Sequence, residues 1–206
     1  MKRKRTALVV AGAMVLLMVT AGLAANVLFE DKFTTLNLSW DLPSAKIHVK
    51  DGKLVITPDK NETLSYLNQA AVLPNDMEAS YTITFIKAPD PDSGSGFIFW
   101  AKDYNEYYVV ETTPGGSFAI ERYMAKRWLL PVPWQQSDAI KKGVGADNQV
   151  KVVTKGNQAT ITINGKEVAS FSGQPPEGGS LIGFMVATGA AGSNSAGFSN
   201  FQVVQP

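Results

Sequence analysis

Residues 94–116 constrain the fold of this chain most strongly, because they have the pattern of two β-strands folded back on each other. Apolar and aromatic side chains alternate on both faces of the first strand, residues 96–101. The second strand, residues 107–112, combines β-branched residues with tyrosines, as strands often do. The polar segment between them, residues 102–106, is rich in turn-forming residues. We expect both faces of this hairpin to be covered, one by a second sheet and the other by a further layer or by a ligand.

The rest of the chain repeats this pattern of short alternating segments separated by turns. Asp51-Gly52 and Asn164-Gly165 are dipeptides that favour tight hairpin turns. Roughly a dozen strands at regular spacing predict an all-β fold, an antiparallel two-sheet β-sandwich or jelly roll. Residues 64–73 fit either a strand or an irregular segment. The predicted strands are 27–33, 47–49, 53–56, 77–87, 96–101, 107–112, 117–123, 149–155, 158–163, 167–171, 180–187 and 198–204.

One segment, residues 126–134, has two tryptophans and two prolines. Proline has no N–H for a β-ladder, so this segment is excluded from the centre of a sheet. The sequence predicts a rigid, extended aromatic loop here.

The first 25 residues have the pattern of a secretory signal peptide, with a basic start, a long apolar run and small residues at the end. Cleavage is expected after Ala24 or Ala25, which leaves one domain over residues 26–206. An uncleaved N-terminal anchor is the alternative, since the apolar run approaches the length that spans a bilayer. We expect a periplasmic or secreted protein, without a membrane span in the mature chain.

Charge and cysteine content exclude several classes of function. Residues 1–25 carry four of the 19 Lys and Arg residues and none of the 18 Asp and Glu residues, so the mature chain has a formal net charge of −3. This mildly acidic balance argues against nucleic acid as a partner. The chain has no cysteine, which rules out disulfides and thiolate metal sites.

Several motifs, taken in order, resemble those of the concanavalin A-like (laminin G and L-type lectin) jelly-roll superfamily. They are residues 29–33 with Trp40, 51–56, the central Gly96-Phe97-Ile98-Phe99 hairpin with residues 103–108, 148–152, 164–168 and 197–203. The resemblance covers nearly the whole mature chain and implies the jelly-roll fold. It leaves function open, because that fold includes lectins, glycoside hydrolases, polysaccharide lyases and adhesion modules.

Catalytic residues of the known types are poorly represented. Glucanases of this group carry two glutamates in an E-x-D-x-x-E run on one strand, and the chain has no such run. Glu106 and Glu111 are five residues apart, which places them on opposite faces of a regular strand. His48 is the only histidine and is expected on the surface of a strand. The sequence therefore favours a non-catalytic protein.

A ligand-binding face is suggested by the side chains of the central hairpin that point away from Phe97 and Phe99. Aromatic rings stack on the C–H faces of sugars, while carboxylate and guanidinium groups bind the hydroxyls. Packing under the long aromatic segment is an equally weighted alternative for these side chains. The candidate carbohydrate-binding residues are Trp100, Tyr107, Glu111, Arg122 (or its neighbour Glu121), Trp128 and Trp134.

Structural calcium is a further hypothesis, since Ca²⁺ is bound by oxygen ligands. Glu30 and Asp31 would share a cation with Asn200 of the closing strand, and Asp103 with Asn105 is a second candidate pair. Solvated turn residues are the simpler interpretation of both groups.

Three functions remain open from the sequence. The leading hypothesis is an exported carbohydrate-binding or adhesion module with a glycan or polysaccharide partner. The alternatives are a glycoside hydrolase or lyase that uses Glu111 with Arg122 or a tyrosine, and a structural domain that binds a protein partner through residues 128–134.

Overall fold

A computed structural model describes residues 26–206, which form an antiparallel β-sandwich of 14 strands in two sheets. The predicted signal peptide, residues 1–25, lies outside the described residues. Within residues 26–206 no helix is long and apolar enough to cross a membrane. The sequence-based prediction of an all-β, two-sheet sandwich is confirmed.

The larger sheet has eight strands and the smaller has six. In spatial order, the eight-stranded sheet contains β12 (Lys166–Ser172), β11 (Gln158–Ile163), β10 (Asp147–Lys155), β5 (Met77–Lys87), β14 (Ser195–Val204), β3 (Lys53–Ile56) and β2 (Ile47–Lys50), and β1 (Val27–Asp31) also pairs with β14. The six-stranded sheet contains β4 (Thr63–Leu67), β13 (Leu181–Ala187), β6 (Ser95–Asp103), β7 (Glu106–Thr112), β8 (Ser117–Met124) and β9 (Arg127–Gln136).

Aromatic rings from both sheets fill the space between them. Phe97 and Phe99 of β6 are fully buried there, as the alternation of the central hairpin predicts. Phe184 of β13 stacks on Phe198 of β14 with ring centroids 4.2 Å apart, which joins the two sheets directly. Burial of this much apolar surface is the main stabilising contribution to such a sandwich.

Two hairpin turns form as their sequences predict. Asp51 and Gly52 both have positive φ, 51° and 70°, as do Asn164 and Gly165, 49° and 82°. This is the backbone of a type I′ turn, which Asn, Asp and Gly adopt at the lowest steric cost.

The segment predicted as an aromatic loop is instead strand β9, at the edge of the six-stranded sheet. An edge strand pairs on one side only, so it tolerates Pro131 and Pro133, which a central strand would not. The prediction that this segment is excluded from the centre of a sheet is correct, and the prediction that it is a loop is wrong. A tight turn at Ala125 and Lys126 connects β8 to β9, and both residues have positive φ, 50° and 59°.

Candidate functional site

The outer face of the six-stranded sheet, which points away from the eight-stranded sheet, carries the candidate site. Residues of β7 alternate, so that Tyr107, Val109 and Glu111 point outward while Tyr108 and Val110 join the inter-sheet core. On β8, Tyr123 is directly opposite Tyr107 and Glu121 is directly opposite Val109. We call this surface the outer face.

At one end of the outer face, three aromatic rings form a cluster. Trp128 of β9 lies 4.9 Å from Tyr123 and 5.9 Å from Tyr107, measured between ring centroids. Tyr107 is buried, whereas 44% of Trp128 is exposed. Burial raises the pKa of the Tyr107 hydroxyl, so this group is a neutral hydrogen-bonding partner rather than a base. Trp128 thus covers the tyrosine and presents its own ring to solvent.

At the other end, Trp134 lies beside two carboxyl groups. Its indole Nε1–H donates a hydrogen bond to Glu121 Oε1 at 3.0 Å, and 39% of the residue is exposed. Gly94 makes room for this arrangement: a Cβ atom there would be 2.6 Å from Glu111 Oε1 and 2.7 Å from the Trp134 ring. The ring of Trp134 and the carboxyl of Glu111 therefore occupy the space that a side chain at position 94 would fill.

Glu111 is a buried carboxyl with unusual electrostatics. Only 3% of it is exposed, and within the described part of the chain no hydrogen bond reaches its carboxyl group. Burial raises the pKa of Glu111 well above its usual range, and the Glu121 carboxylate raises it further. Burial also raises the pKa of Glu121, although the hydrogen bond from Trp134 lowers it in part. Glu111 is consequently protonated under conditions in which an ordinary glutamate is ionised.

Trp100 does not lie on the outer face, so its predicted position is wrong. The register between β6 and β7 shifts after Phe99, and Trp100 has a φ of 45°. This bulge breaks the alternation and turns Trp100 toward the core, where its Nε1–H donates to the carbonyl of Asn75 at 3.1 Å. Trp100 is 1% exposed and packs against Tyr108 with centroids 5.5 Å apart.

Arg122 also lies on the opposite side of its strand from the outer face. Its guanidinium carbon is 5.0 Å from the ring centre of Tyr108, an inward-facing residue. Its NH2 group donates to Glu106 at 2.9 Å, and the pair forms an ion pair. The predicted pairing of Glu111 with Arg122 is therefore wrong, whereas the prediction that Glu106 and Glu111 lie on opposite faces is correct.

The outer face brings together four of the six predicted residues, namely Tyr107, Glu111, Trp128 and Trp134. It adds Tyr123, which the sequence reasoning did not select, and Glu121, which it considered only as a substitute for Arg122. Glu121 and Tyr123 are two residues apart on β8, so their side chains point to the same face of the sheet. This spacing is the sequence signal by which both could be predicted. Packing under β9, the alternative interpretation, holds for Tyr107 and Glu111, which leaves the two tryptophans as the open part of the site.

The residues proposed as calcium ligands have other partners. Asp31 accepts hydrogen bonds from the backbone N–H of Phe33 at 2.8 Å and from Trp40 Nε1 at 2.9 Å. Asp103 accepts from the N–H of Asn105 at 2.6 Å, which is a turn contact. Asp31 and Glu30 line one shallow surface depression with Asn200. Among residues 26–206, three or more His, Cys, Asp or Glu side chains do not come together as a metal site. The calcium sites stay a prediction.

Comparison with known proteins identifies the fold. No family model matches the sequence, and no curated protein matches it. Solved structures do match, among them one reported with the endo-acting O-glycanases by which members of the human gut microbiota initiate mucin breakdown. It is 11% identical, with a TM-score of 0.63 over 88% of this chain and 100% of that one.

Two further structures differ in what their names describe. The carbohydrate-binding module CBM66 from Bacillus subtilis is 14% identical, with a TM-score of 0.58 over 72% of this chain and 85% of that one. The catalytic domain of an endo-1,3-β-glucanase (laminarinase) from Thermotoga petrophila is 7% identical, with a TM-score of 0.61 over 87% of this chain and 97% of that one. The chain has the concanavalin A-like lectin and glucanase sandwich fold, as the sequence motifs predict. Its structural neighbours include both binding modules and glycoside hydrolases.

Proposed function

We propose that this protein is a non-catalytic carbohydrate-binding or adhesion module that holds a glycan against its outer face. The observation that carries this proposal is the pair Trp128 and Trp134, which are half-exposed on one edge strand, with the Glu121 carboxyl bound to Trp134. The pattern of residues 1–25 supports export, so the site of action is the periplasm or the exterior of the cell.

The chemistry of the outer face suits a polysaccharide. Tryptophan rings offer large apolar surfaces to the C–H groups of sugar rings, and Glu121 accepts hydrogen bonds from sugar hydroxyls. Tyr107 and Glu111 lie beneath the tryptophans and act as support rather than as contacts. Trp128 is held against two tyrosines and Trp134 is held by Glu121, so both rings are ordered before binding, which lowers its entropic cost.

A pull-down with insoluble polysaccharides, followed by a titration with soluble fragments of the one that binds, tests this proposal. We expect Trp128→Ala and Trp134→Ala each to weaken binding by about tenfold, which corresponds to about 1.4 kcal/mol. Ile86→Ala is the matched control, since Ile86 is 44% exposed, as Trp128 is, but belongs to the other sheet. Binding to no polysaccharide, or binding by both tryptophan variants as strong as that of the natural protein, would contradict the proposal.

A second candidate function, glycoside hydrolysis, is favoured by one observation. Glu111 and Glu121 lie on the outer face at diagonal positions of adjacent strands, since Glu111 is directly opposite Ala119. Diagonal neighbours have Cβ atoms about 7–8 Å apart, and the two carboxyls of glycosidases are about 5–9.5 Å apart. The raised pKa of Glu111 suits a general acid. Against this, Trp134 and Gly94 enclose Glu111, and an acid must reach the glycosidic oxygen.

Release of reducing ends from a bound polysaccharide separates the two functions. An enzyme would lose turnover in Glu111→Gln and in Glu121→Gln. A binding module has no turnover to lose, and its affinity would fall in Glu121→Gln while Glu111→Gln would bind as the natural protein does.

A further inference from the structure

A second cleft, of about 490 Å³, lies away from the outer face, at one end of the sandwich. Lys102 and Glu106, on either side of the β6–β7 turn, line it together with Arg122. Residues 174–177, which follow β12, line it as well. Its size is within the range of about 300–1,000 Å³ that small-molecule sites have in general.

The floor of this cleft is fixed by Arg122. The guanidinium NH1 group donates to Gln174 Oε1 at 2.7 Å and NH2 donates to Glu106 Oε1 at 2.9 Å. Tyr108 supports the group from below with its ring, and the Tyr108 hydroxyl accepts the backbone N–H of Gln174 at 3.0 Å. Arg122 is 8% exposed. The cleft is therefore held in one conformation by contacts that cross between β7, β8 and the segment after β12.

The charges lining the cleft balance each other. Arg122 and Lys102 are cationic, and Glu106 and Glu177 are anionic. Glu106 uses Oε1 for Arg122, and its side chain is 38% exposed. The cleft offers both hydrogen-bond donors and acceptors with no excess charge, which suits hydroxyl groups because each one both donates and accepts. Pro175 and Pro176 add an apolar wall for C–H groups.

We propose that this cleft binds a short uncharged sugar, either a free mono- or disaccharide or a unit of a glycan chain. Arg122, supported by Tyr108, forms its floor. This site is separate from the outer face, because Arg122 points to the opposite side of β8 from Glu121 and Tyr123. The proposal for the cleft and the proposal for the outer face can therefore be tested independently.

The Arg122 side chain also provides a signal by which sugar binding in the cleft can be measured. Its Nε–H is buried and has no acceptor among the residues that the structure describes, so its proton resonance is a single reporter at the floor of the cleft. We would titrate the protein with glucose, galactose, mannose, fructose, sucrose, cellobiose and laminaribiose, and with glucuronate as the charged comparison. We expect at least one neutral sugar to shift this resonance with a Kd of about 10 mM or lower.

Variants separate this site from the outer face. Gln174→Ala removes one side-chain partner while its backbone N–H still reaches Tyr108, and we expect it to weaken sugar binding by about fivefold, as for the loss of one hydrogen bond. Trp128→Ala is expected to leave the affinity of the cleft unchanged. Four results would each overturn the proposal: no shift with any neutral sugar, a shift with glucuronate alone, undiminished binding by Gln174→Ala, or loss of binding in Trp128→Ala.

Discussion

The two faces of the six-stranded sheet have similar compositions but different environments. The inner face meets the other sheet, and Trp100 on that side is 1% exposed and hydrogen-bonded to Asn75. The outer face has no second sheet over it, and Trp128 on its edge strand is 44% exposed. A protein gains stability from the first arrangement. In the second, aromatic rings stay partly exposed and the Glu111 carboxyl is buried, and both features cost stability.

The largest expected effect contrasts two tryptophans, one from each face. Trp100→Ala should lower the free energy of unfolding by about 3–5 kcal/mol, as for other large-to-small changes in a core. Trp128→Ala should lower it by only about 1 kcal/mol, the contribution of its exposed aromatic contacts. Urea denaturation of both variants measures the difference. Equal losses would mean that the outer face is as much a core as the inner one.

The next effect concerns Glu111 and depends on pH. Below the ordinary glutamate pKa, about 4.3, the carboxyl is protonated in the folded and unfolded states alike, and it makes no contribution to the pH dependence of stability. Above that value the unfolded chain ionises while the folded protein stays protonated, because its pKa is raised. The free energy of unfolding therefore falls as pH rises, until the folded pKa is reached.

Glu111→Gln removes this loss and should make the protein more stable at pH 7 than the natural chain. The gain is about 1.4 kcal/mol for each unit by which the pH, or the folded pKa where that is lower, exceeds the unfolded pKa. Thermal unfolding from about pH 3 to pH 8 measures the gain, which should disappear at the acid end. Glu106→Gln is the control, since Glu106 is paired with Arg122, and its loss should destabilise the protein instead. A pH-independent gain would show that Glu111 is not protonated by burial.

The smallest effect concerns the turn that connects β8 to the edge strand β9. Lys126 has a φ of 59°, a conformation that costs a residue with a Cβ atom about 1 kcal/mol or more and costs glycine little. Lys126→Gly should therefore stabilise the protein by about 0.5–1 kcal/mol in urea denaturation. Lys60→Gly, at an exposed turn position without positive φ, should give no gain. A loss of stability in Lys126→Gly would contradict the turn geometry.

Much of the fold could be predicted from the sequence, since it depends on local patterns. The Asn164-Gly165 turn and the clean alternation of residues 77–87 identify their strands directly. The turn at Ala125-Lys126 gives no such signal, because neither residue type favours positive φ. Strand β9 is predicted as a loop because its two prolines exclude a central strand, and the sequence does not show that an edge position is available to it. Bulges are equally hidden: nothing in the residue types around Trp100 indicates that the alternation fails there.

The candidate site could be predicted in part. Period two places Tyr107 and Glu111 on one face, and the structure agrees. Which other side chains lie near that face depends on the order and register of the strands in the sheet. The alternation pattern of a single strand gives no information about either. The proximity of Glu121 to Glu111 and the position of Trp134 beside Gly94 are long-range facts of this kind.

The two prolines of β9 have a consequence for how this protein meets other molecules. A sheet ends at β9, and an exposed sheet edge is a template onto which a foreign strand adds, the first step toward aggregation. Pro131 and Pro133 have no N–H groups to offer to such a strand. A foreign strand that paired along the middle of β9 would therefore lack hydrogen-bond donors at these two positions. The strand that displays the two tryptophans is thus a poor template for strand addition at its centre, because Pro131 and Pro133 lie between them.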